Sequence, residues 1–222
     1  GRTHLTESKR ISGRGGEDPK LSDLGRIDAR MAAQAVAQIG KSGPWSFLNP
    51  VSAIVASPIQ RTVDTANIIA NELGLSVSTN VNIQEISFGD WDGSTNDEVK
   101  QKWPSEFAAW QGSWDVAPPN GESLAEFDER VIRGLYEIVD AHPGKTVAVV
   151  SHVMPIRGFL RWAFDAATAA YWRPQIAPCS ITIIRVWGDD AAEIVTANFT
   201  AERQGDESFS EWAQRADEGS LK

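Results

Sequence analysis

The sequence predicts an α/β fold, a mostly parallel sheet with helices on both faces. Short apolar runs alternate with longer segments of helical period along most of the chain, the pattern of strand–helix–strand units. The two clearest runs, Val51–Ala56 and Thr146–Val150, are apolar at nearly every position, as strands covered on both sides are. The length, 222 residues with 41% hydrophobic and 23% charged side chains, suits one substantial domain with an ordinary globular balance.

Residues 1–20 are rich in Gly and charge, have no hydrophobic period and read as a loop. A helix follows from Leu21-Ser22-Asp23 to about Ile39, because Leu24, Ile27, Met31, Ala35 and Val36 recur at helical spacing and Gly40 is a natural stop. Val51–Ala56 is a buried strand. The next helix spans about Gln60 to Leu73 and ends at Gly74. Leu75 to Ser78 forms a short strand. Residues 80–121 are less regular, with four Trp residues and one short helix near 95–102, so about 88–120 reads as a lid. Ser123-Leu124-Ala125-Glu126 is a capping box that opens a helix to about Ala141, broken at Pro143-Gly144. Thr146–Val150 is a strand and Met154–Phe164 a helix. Two strands near Ser180–Val186 and Glu193–Asn198 close the domain at about residue 200. Residues 201–222 read as a polar acidic tail.

The net charge of −9 argues against a nucleic-acid-binding surface, and no apolar run approaches the length of a membrane span. A single cysteine, Cys179, excludes an internal disulfide framework and fits a reducing compartment, so the expected location is cytoplasmic. The His and Cys residues lack metal-ligand spacing.

In parallel α/β sheets ligands bind beyond the carboxyl ends of the strands. Ser57-Pro58-Ile59-Gln60-Arg61 follows the first strand directly and puts Arg61 in the first turn of a helix. There a planar guanidinium works beside free N–H groups to hold an anion, although alone the pattern also fits a surface Arg. Ser151-His152 follows the 146–150 strand in the same way, and His152 either meets a phosphate or caps the next helix. Two strand ends thus deliver phosphate-compatible side chains to one edge. Glu85 lies between Ile83 and Ile86, with Phe88 and Trp91 close behind. A carboxyl in such surroundings can carry a raised pKa and act as a general acid. Asp90 and Asp92 are assigned to the Gly89–Gly93 turn, and Glu122 to the dipole of the following helix, with a place at the pocket border as the alternative. His4, the only His near the chain start, is set aside as a nucleophile on its spacing, and His142 is read as structural.

These pieces occur in the order seen in the histidine phosphatase (phosphoglycerate mutase-like) superfamily. Gly1, Thr3, Thr6, Arg10, Ser12, Gly13, Pro19, Leu21, Ser22 and Gly25 resemble the continuation of its Arg-His-Gly-x-Thr loop. Ser57-Pro58 with Arg61, Thr65 and Ala66 resembles the second phosphate-binding segment. Glu85 with Phe88-Gly89 and Trp91-Asp92-Gly93 resembles the acid-bearing one, and Gly121-Glu122-Ser123 and Val150-Ser151-His152-Val153 complete the set.

The resemblance implies phosphomonoester hydrolysis through a phosphohistidine, without a cofactor or metal. Arg61 and His152 bind the phosphoryl oxygens and Glu85 serves as acid and base. Gly1, Thr3, Thr6, Ser12, Gly13 and Val153 line the phosphate and substrate side. It also implies that the chain begins just after the Arg-His pair, so that the first central strand and the nucleophile precede Gly1 and the chain by itself is inactive. Within the superfamily the chain is similar to alpha-ribazole phosphatases. It is more closely similar to the acid phosphatase half of actinobacterial bifunctional ribonuclease H/acid phosphatase proteins, on Ser12–Gly15 and Ser151–Arg157. Few basic residues fall in 94–120, which favours hydrolysis over the mutase reaction. The expected partner is a small phosphorylated metabolite, bound without nucleic acid or membrane.

Overall fold

The structure, a computed structural model, describes residues 1–188 and 191–201. The expected acidic tail lies outside them apart from residue 201. Three parallel strands form the central sheet in the order β2-β1-β3: β1 (Val51–Ala56), β2 (Val77–Thr79) and β3 (Thr146–Val150). The register sets Ile54 against both Val77 and Ala148, and Ala56 against Val150. Successive residues of β1 serve opposite layers, as strand geometry requires. Ile54 and Ala56 pack with Val36, Ala66 and Ile69 of α2 (Asp23–Gln38) and α3 (Gln60–Leu73). Val55 packs on the other face with Phe127, Val131, Met154 and Phe159 of α6 (Leu124–Ala141) and α7 (Val153–Ala163). Helices cover both faces, as expected.

The closing strands depart from the expected sheet. β4 (Ile181–Trp187) and β5 (Ala191–Phe199) form an antiparallel pair of their own and hydrogen-bond to no other described strand. An antiparallel pair satisfies its inner edges locally and leaves the outer edges open. β3 is therefore paired on one side only, with β1, and β4 on one side only, with β5. Both free edges line the same cleft of about 1640 Å³. Val147, Ala148 and Val149 of β3 are only partly buried there, whereas Ile54, Val55 and Ala56 of the neighbouring β1 are fully buried.

Three local differences have simple causes. Residues 1–20 are not all loop: a reciprocal capping box between Thr3 and Thr6 closes one turn, α1 (His4–Glu7). The lid holds two helices, α4 (Asn96–Lys102), with a Thr95/Glu98 capping box, and α5 (Pro104–Gly112), which starts on a proline at its first position. Phe107 and Trp110 of α5 pack with Trp91 and Val99 into a third, separate core. The short strand begins at Val77 rather than Leu75. No described helix is long and apolar enough to cross a membrane.

Candidate active site

The carboxyl ends of β1 and β3 are tied together before any ligand is considered. Ser57 N–H donates to the Val150 carbonyl at 2.9 Å, and the buried Ser57 Oγ lies 2.8 Å from His152 Nε2. His152 occupies the N-cap position of α7, yet its side chain makes no capping bond. The imidazole is thus free of helix capping and belongs to the pocket. Burial, followed by the positive charge of Arg61, holds its pKa well below the ordinary value, so the ring is neutral at pH 7.

Arg61 is 8% exposed and donates from Nη2 to the Ser12 carbonyl at 2.9 Å. Its Nη1 and the Ser12 Oγ are both buried without a hydrogen-bond partner among the described residues. Unpaired buried donors are costly, and an anion with several acceptor oxygens satisfies both at once. Burial lowers the Arg61 pKa against the opposing pull of Glu85, Asp18 and Asp92, but a guanidinium remains charged. The helix N-terminus contributes less than the sequence suggested. The Gln60 N–H is not free, since it donates to Asp18 Oδ1 at 2.9 Å. Anion binding here therefore rests on the Arg61 side chain.

Glu85 is 6% exposed between Ile83 and Ile86, neither of which reaches solvent. Its Oε1 accepts from the Ile86 N–H at 3.0 Å, and its Oε2 lies 3.5 Å from the Met154 N–H. Burial pushes its pKa up to about 7, against the Ile86 N–H, Arg61, the Met154 N–H and Arg157, which all favour the anion. A carboxyl that titrates near neutrality can give a proton and take it back.

The loop that carries Glu85 is clamped by Arg130, which the sequence did not single out, and by Glu122 and Ser151. Arg130 donates to the carbonyls of Asn82 at 2.8 Å and Gln84 at 3.1 Å. It also forms a two-pronged pair with Glu122, Nε to Oε1 and Nη2 to Oε2, both at 2.9 Å. Glu122 is thus a buried anchor of the acid loop. Its helix-dipole assignment is superseded, because its carboxylate is spent on Arg130, Arg14 and the Ser87 N–H. Ser151 Oγ donates to the Ile83 carbonyl at 2.7 Å and locks the same loop to the end of β3. Asp92, assigned only to a turn, accepts from the Gly13 N–H at 2.5 Å and joins the N-terminal loop to the acid segment. Gly13 is required there, since a Cβ would lie 2.6 Å from the Ile86 carbonyl oxygen.

Gly1, Thr6, Ser12, Arg61, Glu85, His152 and Val153 all line the one cleft. Thr3 and Gly13 stand behind its wall: the fully buried Thr3 caps α1 and Gly13 packs on Asp92. The Gly1 amine reaches Thr65 Oγ1 at 2.9 Å. His4 is exposed, pairs with Glu17 at 3.2 Å and takes no part in the cleft. Although the chain carries a net charge of −9, Glu85 is the sole carboxylate on the cleft wall among the described residues, against cations that include Arg10, Arg61, Lys100, Arg157 and Arg173. Such a wall concentrates anions. Phe88, Trp91, Phe107, Trp110 and Trp172 supply its aromatic side. No group of three or more His, Cys, Asp or Glu side chains placed to hold a metal is present among the described residues.

Comparison with known proteins points to one family. The family model of the histidine phosphatase superfamily (branch 1) matches residues 1–200. The bifunctional protein Rv2228c of Mycobacterium tuberculosis is 35% identical over 90% of this chain and 52% of its own length. The chain therefore spans about half the length of the first curated relatives it matches. Phosphoserine phosphatase 1 of Hydrogenobacter thermophilus is 33% identical over 76% of each chain. Among solved structures, mycobacterial glucosyl-3-phosphoglycerate phosphatase Rv2419c in complex with VO3 superposes with a TM-score of 0.77. It is 24% identical and the match covers 90% of this chain and 96% of that one.

Proposed function

This chain belongs to the histidine phosphatase superfamily, and we propose that it is the catalytic domain of a phosphomonoesterase that works through a phosphohistidine. The observation that carries this reading is the meeting of Arg61, His152 and Glu85 at one end of one cleft, with Glu85 titrating near 7. Arg61 and His152 hold the phosphoryl oxygens and neutralise charge as it builds in the transition state. Glu85 donates its proton to the leaving alkoxide. It then takes a proton from the water that attacks the phosphohistidine, and returns to its acid form. The substrate is a small phosphorylated metabolite. A cytoplasmic setting belongs to the same reading, on the single Cys179.

The attacking histidine, in this reading, precedes Gly1 and is brought in by a strand that fills the trough between β3 and β4. Three features support it. The two strand edges lack a strand partner among the described residues, Val147, Ala148 and Val149 of β3 are only partly buried, and Gly1 lines the same cleft as Arg61 and His152. A strand that runs up the trough and leaves at Gly1 is parallel to β1 and β3. It pairs both edges, which otherwise stand as exposed templates. The test is an assay of phosphate release and of isomer formation from phosphomonoesters by the natural protein, with the residues before Gly1 present. Phosphate release is expected. Isomer formation alone would place the protein with the mutases, and phosphate binding without either reaction would make it a binding module.

A further inference from the structure

The arginines of this fold mostly have carboxylate partners. Arg2, Arg10, Arg14, Arg130, Arg133, Arg161 and Arg185 are each ion-paired. Arg61 is not, and a phosphoryl group accounts for it. Arg26 and Arg30, away from the cleft, also lack an ion pair among the described residues, but on the cleft wall Arg157 is a second exception. It lies on the first turns of α7, half-buried, on the wall of the same cleft. Its Nε donates to the Pro174 carbonyl at 2.9 Å, and its Nη1 meets only the Met154 sulfur at 3.8 Å, a weak acceptor. No described carboxylate stands within ion-pair distance of it. Glu85 is the anion it senses, and in the acid form that donates a proton Glu85 carries no charge. The catalytically ready site thus holds two cations, Arg61 and Arg157, and no internal anion to balance them. A buried uncompensated charge is costly, and with the phosphoryl oxygens assigned to Arg61 and His152, Arg157 is left with only a carbonyl and a thioether sulfur as partners. Arg173, adjacent to Pro174, is exposed, lines the same wall and likewise has no ion-pair partner among the described residues.

We propose that Arg157, with Arg173 beside it, is the specificity determinant for the leaving group: it receives a carboxylate carried by the alcohol of the phosphomonoester. A carboxylate fits because the two terminal nitrogens of one planar guanidinium match its two oxygens. The T-shaped pair of Trp110 and Trp172, with ring centroids 5.0 Å apart, lines the same cleft and closes off the carbon skeleton between the two charged ends. This inference rests on the phosphomonoesterase reading and names the substrate class of that same site.

The test uses substrate pairs that differ by one carboxylate, O-phosphoserine against O-phosphoethanolamine and 3-phosphoglycerate against glycerol 3-phosphate, with the natural protein. The carboxylated member of each pair is expected to have the higher kcat/KM. Arg157→Gln is expected to lower that preference ratio at least about tenfold, mainly through KM, the size of one charge-assisted hydrogen bond. Arg157→Lys should keep part of it, and Arg173→Gln should lower it less. A wild type with no preference, or an Arg157→Gln variant whose ratio is unchanged because both members slow equally, overturns the proposal. Titration of the same four compounds for equilibrium binding gives a readout that does not need turnover. Absence of hydrolysis with a carboxylate preference that Arg157→Gln removes would defeat the phosphatase reading and leave the subsite standing. No preference in binding would defeat the subsite.

Discussion

The two ends of the cleft are built on opposite terms. At the carboxyl ends of the strands, each functional side chain except the donors facing the anion has a fixed partner: Ser57 for His152, the Ser12 carbonyl for Arg61, the Ile86 N–H for Glu85. Between β3 and β4 the walls are mostly apolar, from Val147 to Val150 on one side and Ile181 to Val186 on the other with Thr182 and Arg185 as the polar exceptions, and neither strand edge has a strand partner among the described residues. The first end is arranged for chemistry by polar contacts that cross long stretches of sequence. The second is a trough whose geometry asks for backbone. On the proposed reading, most of the catalytic groups are held by a sheet that has two open edges among the described residues.

Predictions that separate the two ends begin with the phosphate pocket. Arg61→Ala should lower kcat/KM of the natural protein about 10³-fold, because it removes the main charged donor to the transferring phosphoryl group. Stability should change little, since only the bond to the Ser12 carbonyl is lost. An equal loss of folding and activity would mean that Arg61 is structural.

Glu85→Gln should lower kcat about 10²-fold or more while the protein becomes more stable above neutral pH. The sign follows from linkage. The native carboxyl titrates at about 7 and the ordinary value is 4.5, so between those values the native state binds more protons than the unfolded state. Stability therefore falls as pH rises through that window, by about 3 kcal/mol in all, and the Gln variant escapes the loss. His152 acts on the other side: its lowered pKa means that the unfolded state takes up protons first, so stability falls as pH drops below the ordinary histidine range. In the wild type kcat/KM should decline as pH rises past about 7, where Glu85 loses its proton. Denaturant melts at pH 5 and pH 8 and a pH–rate profile check both signs.

The smallest effect is expected behind the wall. Thr3→Ala removes the cap of α1 and should cost about 1 kcal/mol of stability. Its effect on KM should be slight, because Thr3 does not line the cleft. A large rise in KM would move Thr3 into the binding site.

What could be read from the sequence follows the same division. β1, α3 and β3 were legible because continuous apolar runs and the glycine at position 74 mark them locally. Arg61 and His152 were legible because each comes just after a strand end, and Glu85 because its neighbours are apolar. The contacts that make them a site were not. His152 and Ser57, Glu122 and Arg130, and Asp92 and Gly13 meet only after the chain has folded, and no local spacing announces them. Helix α5 was hidden for a related reason. It is short, and Phe107 and Trp110 face a lid core built with Trp91 and Val99, so it shows no clean polar and apolar faces. The pairing of β4 with β5 alone was equally hidden, since a strand pattern states that a strand exists and not which edge it joins.

The most direct test of the central claim is to trap the covalent intermediate. The natural protein and the 222-residue chain beginning at Gly1 are each mixed with a phosphomonoester, quenched in base and mapped by mass spectrometry. The account predicts an acid-labile phosphoryl group on a histidine before Gly1 in the natural protein and none on the 222-residue chain, which still binds inorganic phosphate through Arg61 and His152. A phosphoryl group on His152 or His4, or turnover by the 222-residue chain alone, would contradict it.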